Sequence, residues 1–370
     1  MEIFVIMLTA LVLYILEGVL YRRLWSVGLK ADVNISPRSA FCGDKCRLEI
    51  TLSNRKLLPL PWLWVKLHIS STLHFEGKPD SNDSYIFHNA LFCIMGWQEI
   101  KRTLLFTCTK RGYYPIRSFE LVGTGLLFNG KYTLSFGSPC AITVYPQLLG
   151  QELPERLMAR YDGITAADGY INPDPFEFAG IREYMPSDSF RDINFKATAH
   201  SGTLMTNRHN PTVRGEIDII LCIKPLNERF EEECFEYSIS LAATLAEYYL
   251  SKGYRVAFSS NGVDCATGES VPIPSGIGEG QLYNIYERLA RLSYEKFTSP
   301  EMLKMEYGVN RSAIFISPTA DNTVTELYSG IEEGYLSACW LYPVMSFDMP
   351  RIKPPVSSAE LVPVPPEVRS

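Results

Sequence analysis

The densest run of chemically capable side chains lies between Gly180 and Thr206, in GIREYMPSDSFRDINFKATAHSGTLMT. Fifteen of those residues, Arg182 to Lys196, hold Arg182, Glu183, Asp188, Arg191, Asp192, Asn194 and Lys196, with Tyr184, Phe190, Ile193 and Phe195 between them. Two neighbouring carboxyl groups can run a hydrolysis, so Glu183 and Asp188 form one candidate pair. His200 and His209 follow Asp188 and Asp192 closely enough in sequence to suggest an acid–base pair. Against both stands the balance of sign. Arg182, Arg191 and Lys196 lie beside the acids, and neighbouring cations keep carboxylates ionised and occupied. Arginine forks suit bidentate carboxylate pairing. The pattern predicts a pinned, partly buried connector held by ion pairs, with aromatic residues packed between the charges. Arg182, Glu183, Tyr184, Asp188, Arg191, Asn194 and Lys196 are then a structural and interaction motif, with no catalytic residue among them.

Other stretches imitate known chemistry. Cys42 and Cys46, in CGDKC, have the spacing of half a metal site, but no second pair follows at ligand spacing. They read as residues flanking a Gly-Asp turn between strands. Gly125 to Tyr132, GLLFNGKY, nearly fits a phosphate-binding loop. Such a loop needs a Ser or Thr hydroxyl after the lysine and a helix to follow. Tyr132 stands where that hydroxyl is needed, and KYTLSF continues as a strand, so a hairpin turn is expected. The sequence contains neither G-x-S-x-G nor H-E-x-x-H, and histidine occurs five times. No cofactor and no metal are expected.

The chain has 370 residues, enough for two ordinary domains and an anchor. A net charge of -6 argues against nucleic acid as a partner. Nine cysteines without a paired framework fit a reducing compartment. From Ile3 to Tyr21 the sequence is apolar except for Glu17, long enough to cross a bilayer. Arg22 and Arg23 follow it directly, which predicts a single-pass cell-membrane protein with the bulk of the chain in the cytoplasm.

Between Val27 and Tyr145, short β-branched or aromatic runs such as RLEITLS, WLWVKLHIS and AITVYP alternate with turn residues. In RLEITLS, Leu48, Ile50 and Leu52 alternate with polar neighbours, as in a strand with one wet face. An antiparallel β-sandwich is the expected fold. From Glu216 the pattern becomes alternating strands and helices: IDIILCI, a helix over 230–250, YRVAFSS, a helix over 280–294, AIFISP, a helix over 323–333, and YLSACWLYPV. Repeated β–α units imply a parallel sheet with helices on both faces. The expected divisions are a transmembrane anchor at 1–24, the sandwich at 25–148, the connector at 149–214 and an α/β domain at 215–349. A Pro-rich tail at 350–370, extended or disordered, completes the chain.

GIREYMPSDSFRDINFKATAHSG resembles the signature of the domain-of-unknown-function 58 family, G-x-R-E-Y-x-x-G-D-x-x-R-x-I-x-W-K-A-x-A-R-x-G. Gly180, Arg182, Glu183, Tyr184, Asp188, Arg191, Ile193, Lys196, Ala197, Ala199 and Gly202 match. Ser187, Phe195 and His200 stand where the family usually has Gly, Trp and Arg. KRGYYPI and AITVYPQL resemble further landmarks, so the likeness covers most of the chain. The resemblance implies that the α/β domain is von Willebrand factor A-like. It also implies partners: a MoxR-type AAA+ ATPase and a transglutaminase-like membrane protein.

A magnesium-binding domain of that type carries D-x-S-x-S at the carboxyl end of its first strand, because hard cations need clustered oxygen ligands. Here that strand ends LCIKPLN, with Lys224 in the loop. The expectation is a membrane-anchored, non-enzymatic scaffold that helps assemble or remodel a membrane complex. The alternatives are a metal-dependent adhesion module or a hydrolase using Glu183 and Asp188.

Overall fold

The computed structural model describes residues 2–70, 72–75, 85–127, 130–150, 152–157, 173–185, 190–211, 214–224, 231–270, 272–300, 303 and 308–365. The chain divides into two compact units, Met1–Gln147 and Leu148–Ser370.

The first unit begins with α1, Glu2–Leu24, which bears an acid in its first turn and Arg22 and Arg23 in its last. It is long and apolar enough to cross a membrane, with a mean hydropathy of 2.5 over its best window. Its side chains are exposed until the final turns, where Tyr21 is buried and its hydroxyl donates to the Pro59 carbonyl at 2.8 Å. Trp25 follows, buried and stacked on Tyr132.

Two sheets share one apolar core beyond this point. One runs β1-β3-β7-β5 and the other β2-β9-β8-β4-β6. Their strands are β1 Leu29–Ser36, β2 Ser39–Phe41, β3 Lys45–Asn54, β4 Leu60–Ser70, β5 Leu73–Phe75, β6 Tyr85–Ile94, β7 Gln98–Cys108, β8 Gly112–Thr124 and β9 Lys131–Tyr145. In β3, Cys46, Leu48, Ile50 and Leu52 are buried while their neighbours face solvent or the rim, the alternation a one-sided strand requires. Pairing is antiparallel except for the short β2–β9 contact, which is parallel and departs from the wholly antiparallel arrangement expected. YTLSF and AITVYP, which read as separate strands, are one strand, β9.

The second unit holds a six-stranded sheet of order β15-β13-β12-β17-β18-β19. Its members are β12 Arg214–Leu221, β13 Tyr254–Ser260, β15 Ile273–Gly276, β17 Gly308–Ile316, β18 Tyr335–Met345 and β19 Ala359–Val364. All neighbours except β13–β15 pair in parallel. The unit begins with a short helical segment over 152–157. A ribbon of β10 Pro173–Glu183 and β11 Met205–Pro211 encloses the short helix α2, Phe195–Ser201. The long helices are α3 Glu231–Ser251, α4 Gly278–Arg291 and α5 Asn322–Gly334. Val324, Tyr328 and Ile331 of α5 pack with Ile220, Phe315 and Trp340 on one face of the sheet. On the other, Cys234 and Tyr237 of α3 pack with Met345 and Val364.

Two boundaries differ from expectation. The second long helix stops at Arg291, and Leu292–Phe297 is a strand, β16, paired with β14, Gly262–Asp264. The Pro-rich tail is not wholly irregular, because Ala359–Val364 forms β19 beside β18. Val362 and Val364 are buried there, and an edge strand tolerates Pro363, whose missing donor need not serve a further neighbour.

Candidate functional site

The Gly180–Thr206 stretch folds into a knot of local hydrogen bonds. Gly180 has φ of 155° and sits where the β10–β11 register slips between Phe178 and Gly180, a backbone state that favours glycine. The Tyr184 amide donates to the Leu204 carbonyl and the Asn194 amide to that of Met205. Asn194 is the N-cap of α2: its Oδ1 accepts from the Ala197 amide at 2.9 Å, and its Nδ2 donates to Asn207 Oδ1 at 2.7 Å. Gly202, with φ of 73°, closes the same helix in the left-handed conformation and donates to the Thr198 carbonyl. Thr198 Oγ1 donates to the Asn194 carbonyl and accepts from the Met205 amide. Two signature glycines and one asparagine are thus explained by backbone geometry.

The other motif residues are placed differently. Arg182 is half-buried and donates to the Glu183 carbonyl at 3.0 Å, while Glu183 is exposed at the end of β10. Tyr184 packs its ring 5.7 Å from that of Phe190. Arg191 is exposed in a 3-10 turn over Phe190–Asp192. Lys196 is exposed in the first turn of α2, and among the described residues neither it nor Glu183 takes part in an ion pair. Asp188 lies outside the described residues, and with it the centre of the expected ion-pair fork and one half of the carboxylate pair. His209 lies on β11.

The aromatic residues correct one expectation. Phe190 and Phe195 are 77% and 76% exposed, so they are not packed between charges. A two-stranded ribbon with a seven-residue helix has too little surface to cover both of its own faces. Beside α2 lies a shallow groove of about 630 Å³, lined by Ile181, Asn194, Lys196, Ala197, Ala199 and His200. Its lining is mostly apolar, with Lys196 and His200 among the lining residues.

A second polar cluster marks the carboxyl end of the parallel sheet. β12 is followed in the chain by β13 on one side and by β17 on the other, so the crevice between β12 and β17 is a topological switch point, where open α/β sheets gather ligands. Here the Lys224 ammonium pairs with Asp321 Oδ2 across that crevice. Asp321 Oδ1 accepts from the Val324 amide at 3.0 Å and caps α5. Desolvation opposes ionisation of Asp321, but the bonds from Lys224 and Val324 outweigh it and hold its carboxyl below the usual range. Thr319 Oγ1 donates to the Lys224 carbonyl, and buried Ser317 donates to that of Thr319. Burial pushes the neighbouring Cys222 thiol up to about 12, so it stays protonated. The donor set is one ammonium and one carboxylate already committed to it, which does not suit a hard divalent cation.

Asn261, directly after β13, is a residue that the sequence did not single out. Asn261 is buried, accepts from the Ile223 amide at 2.6 Å and donates to the carbonyls of Ile223 and Thr298. An Asn directly after a buried strand was the available signal. At the amino end of the same sheet lies a partly buried charge cluster around the buried Asp218. Asp218 accepts from the Tyr335 hydroxyl at 2.9 Å, Arg311 lies 3.6 Å away, and Glu216 pairs with Arg255 and Arg311. Burial raises the Asp218 carboxyl above its ordinary range in spite of these partners.

CGDKC forms a turn between β2 and β3, with Asp44 Oδ2 accepting from the Phe41 amide. The Cys46 and Cys108 sulfurs lie 3.9 Å apart, both thiols raised by burial. Among the described residues no cluster of three or more His, Cys, Asp or Glu is placed to hold a metal.

No family model matches the chain. A curated relative, the uncharacterised protein YeaD of Bacillus subtilis (strain 168), is 22% identical over 220 residues, which covers 58% of this chain and 52% of that protein. The chain therefore spans about half the length of that relative. Among solved structures, the CARDB domain of the PF1109 protein from Pyrococcus furiosus covers 32% of this chain and 90% of its own length at 14% identity, with a TM-score of 0.21. Spo0M, a sporulation control protein of Bacillus subtilis, covers 42% of this chain and 58% of its own length at 13% identity, with a TM-score of 0.20. Likenesses this weak establish no shared architecture.

Proposed function

We propose that this chain is a single-pass, membrane-anchored interaction protein without chemistry of its own. Its α/β unit is read as von Willebrand factor A-like, its body as cytoplasmic, and its partner as a MoxR-type AAA+ ATPase, with a transglutaminase-like membrane protein in the same complex. The resemblance of the Gly180–Gly202 signature to the domain-of-unknown-function 58 family supports the choice of partners. Arg22 and Arg23 at the end of α1 and nine free thiols support the orientation.

One observation carries the non-enzymatic reading. The switch-point crevice, where an α/β domain would gather a metal or a substrate, is bridged by the internal pair of Lys224 and Asp321. Interaction is then the task of exposed surface, and the groove beside α2 is the surface the signature builds.

The test is co-purification from detergent-solubilised native membranes, wild type beside Lys196→Glu, with mass spectrometry of the bound proteins. Recovery of an AAA+ ATPase with wild type and its loss with the folded variant is the expected outcome. If no ATPase accompanies the wild type, the proposed partner is wrong. If the variant retains it, the groove is not the contact.

A further inference from the structure

We propose that the loops surrounding the exit of α1 form an apolar rim that sits in the lipid headgroup–acyl boundary of a bilayer. This rests on the reading of α1 as a membrane span.

The rim is a product of strand pairing. Leu29, at the start of β1, pairs with Asn54 at the end of β3, and Asn54 pairs with Gln98 at the start of β7. In the other sheet Leu60 of β4 pairs with Ile94 of β6, and Trp62 with Thr124 of β8. The loop residues 55–59, 95–97, 125–127 and 130 therefore all lie at the end of the first unit from which α1 leaves. Asn54 ties two of them together, donating to the carbonyls of Leu58 and Met95, both at 2.9 Å. Lys56 Nζ fastens the first to the residue directly after α1 by donating to the Trp25 carbonyl at 2.6 Å.

What those loops expose is unusual for loop tips. Leu57 is 82% and Trp97 72% exposed, and Met95, Leu126 and Leu127 are each more than half exposed. Trp97 has φ of 57°, a left-handed state that bulky side chains rarely adopt. At the opposite end, the described loop residues 37–38, 42–44, 72 and 109–111 carry no exposed large hydrophobic side chain. An exposed apolar patch gathered at one end marks a contact surface. Trp beside Leu, with Arg22, Arg23 and Arg55 exposed nearby, is the chemistry of a membrane interface.

The length of α1 selects lipid as the occupant. Its uninterrupted apolar stretch, Ile3–Leu16, is bounded by Glu2 and Glu17 and measures about 21 Å at 1.5 Å per residue. A hydrocarbon core is about 30 Å thick. Carrying the span on to Tyr21, before Arg22, gives about 28 Å and closes the gap. Glu17 then lies inside the hydrocarbon boundary, and the Leu127 amide reaches it at 3.4 Å, while Tyr132 bonds the Gly18 carbonyl. The tip bearing Leu126 and Leu127 is thus held at a depth where its side chains meet lipid. The near-match to a phosphate-binding loop becomes a membrane-seated hairpin.

The test uses the full chain in nanodiscs of phosphatidylcholine and phosphatidylglycerol. A photoreactive benzophenone side chain is placed, one position at a time, at Leu13, Leu57, Trp97, Leu126, Leu105 and Lys110. Lipid adducts at Leu13, Leu57, Trp97 and Leu126, with none at mid-strand Leu105 or at Lys110 on the far end, are expected. Adducts at Leu13 alone would leave α1 as a span and overturn the rim. No adduct at Leu13 would remove the span reading and the rim with it. In native membranes, protein adducts in place of lipid adducts at the rim positions would also overturn it.

Discussion

Asn194→Ala tests whether the signature stretch is held by its cap. Asn194 supplies two bonds: its Oδ1 to the Ala197 amide at 2.9 Å and its Nδ2 to Asn207 Oδ1 at 2.7 Å. Losing an N-cap costs about 1 kcal/mol, and losing a partly buried side-chain hydrogen bond costs about 1 kcal/mol more. A seven-residue helix has almost no intrinsic stability, so the loss falls on the local opening equilibrium. About 2 kcal/mol corresponds to roughly 30-fold faster exchange by opening. The amides to follow are Thr198 and Gly202, which donate to the carbonyls of Asn194 and Thr198. Hydrogen–deuterium exchange of the full chain in detergent, read on peptides spanning 190–205, is the assay. Asn194→Asp keeps the cap acceptor and gives up the donor, so its acceleration is expected near 5-fold. If Thr198 and Gly202 exchange at the wild-type rate in Asn194→Ala, the cap is not what holds the stretch.

Other outcomes follow from the second unit. Tyr335→Phe removes a hydrogen bond to buried Asp218 and should cost about 2 kcal/mol, read as a lower melting temperature; an unchanged one would show that Arg311 alone satisfies the carboxylate. Because the folded Asp218 carboxyl is raised, the unfolded chain ionises first as pH climbs from about 4, so this group withdraws stability as pH rises to its folded value. Asp218→Asn should therefore lose less stability than wild type over that interval, and parallel stability–pH curves would contradict this. Titration of wild type with magnesium or manganese should give neither heat nor thermal stabilisation, whereas either signal would mean that Lys224 yields its place to a metal. Lys224→Met should lower stability by less than about 1 kcal/mol, since both members of the pair are partly exposed.

Much of the architecture was legible in the residues. The alternation in β3 named its buried face, and the apolar stretch of α1 stood out by length and by its flanking arginines. Continuous apolar strands alternating with helices specified a parallel sheet, which is what β13, β12, β17 and β18 form. In the signature, Gly180 and Gly202 were recognisable by type, but their reason is backbone geometry that spacing does not reveal. Phe190 and Phe195 misled, because an aromatic among charges reads as buried whether or not a partner surface exists to bury it. The Pro-rich tail misled in the opposite direction: Pro363 suggests irregular chain, yet the open edge of β18 accepted a strand.

By itself the sequence determined where the apolar helix, the three long helices and the main strands of both units lie, since these follow from local periodicity. Tertiary structure alone decided which distant groups meet. It brought Lys224 to Asp321, separated by nearly a hundred positions, because β12 and β17 are neighbours in the sheet. Likewise it gathered Leu57, Trp97 and Leu126 at one end of the first unit, because antiparallel pairing places alternate loops together. Periodicity records whether a side chain is inside or outside, and carries no record of which outside surface it shares.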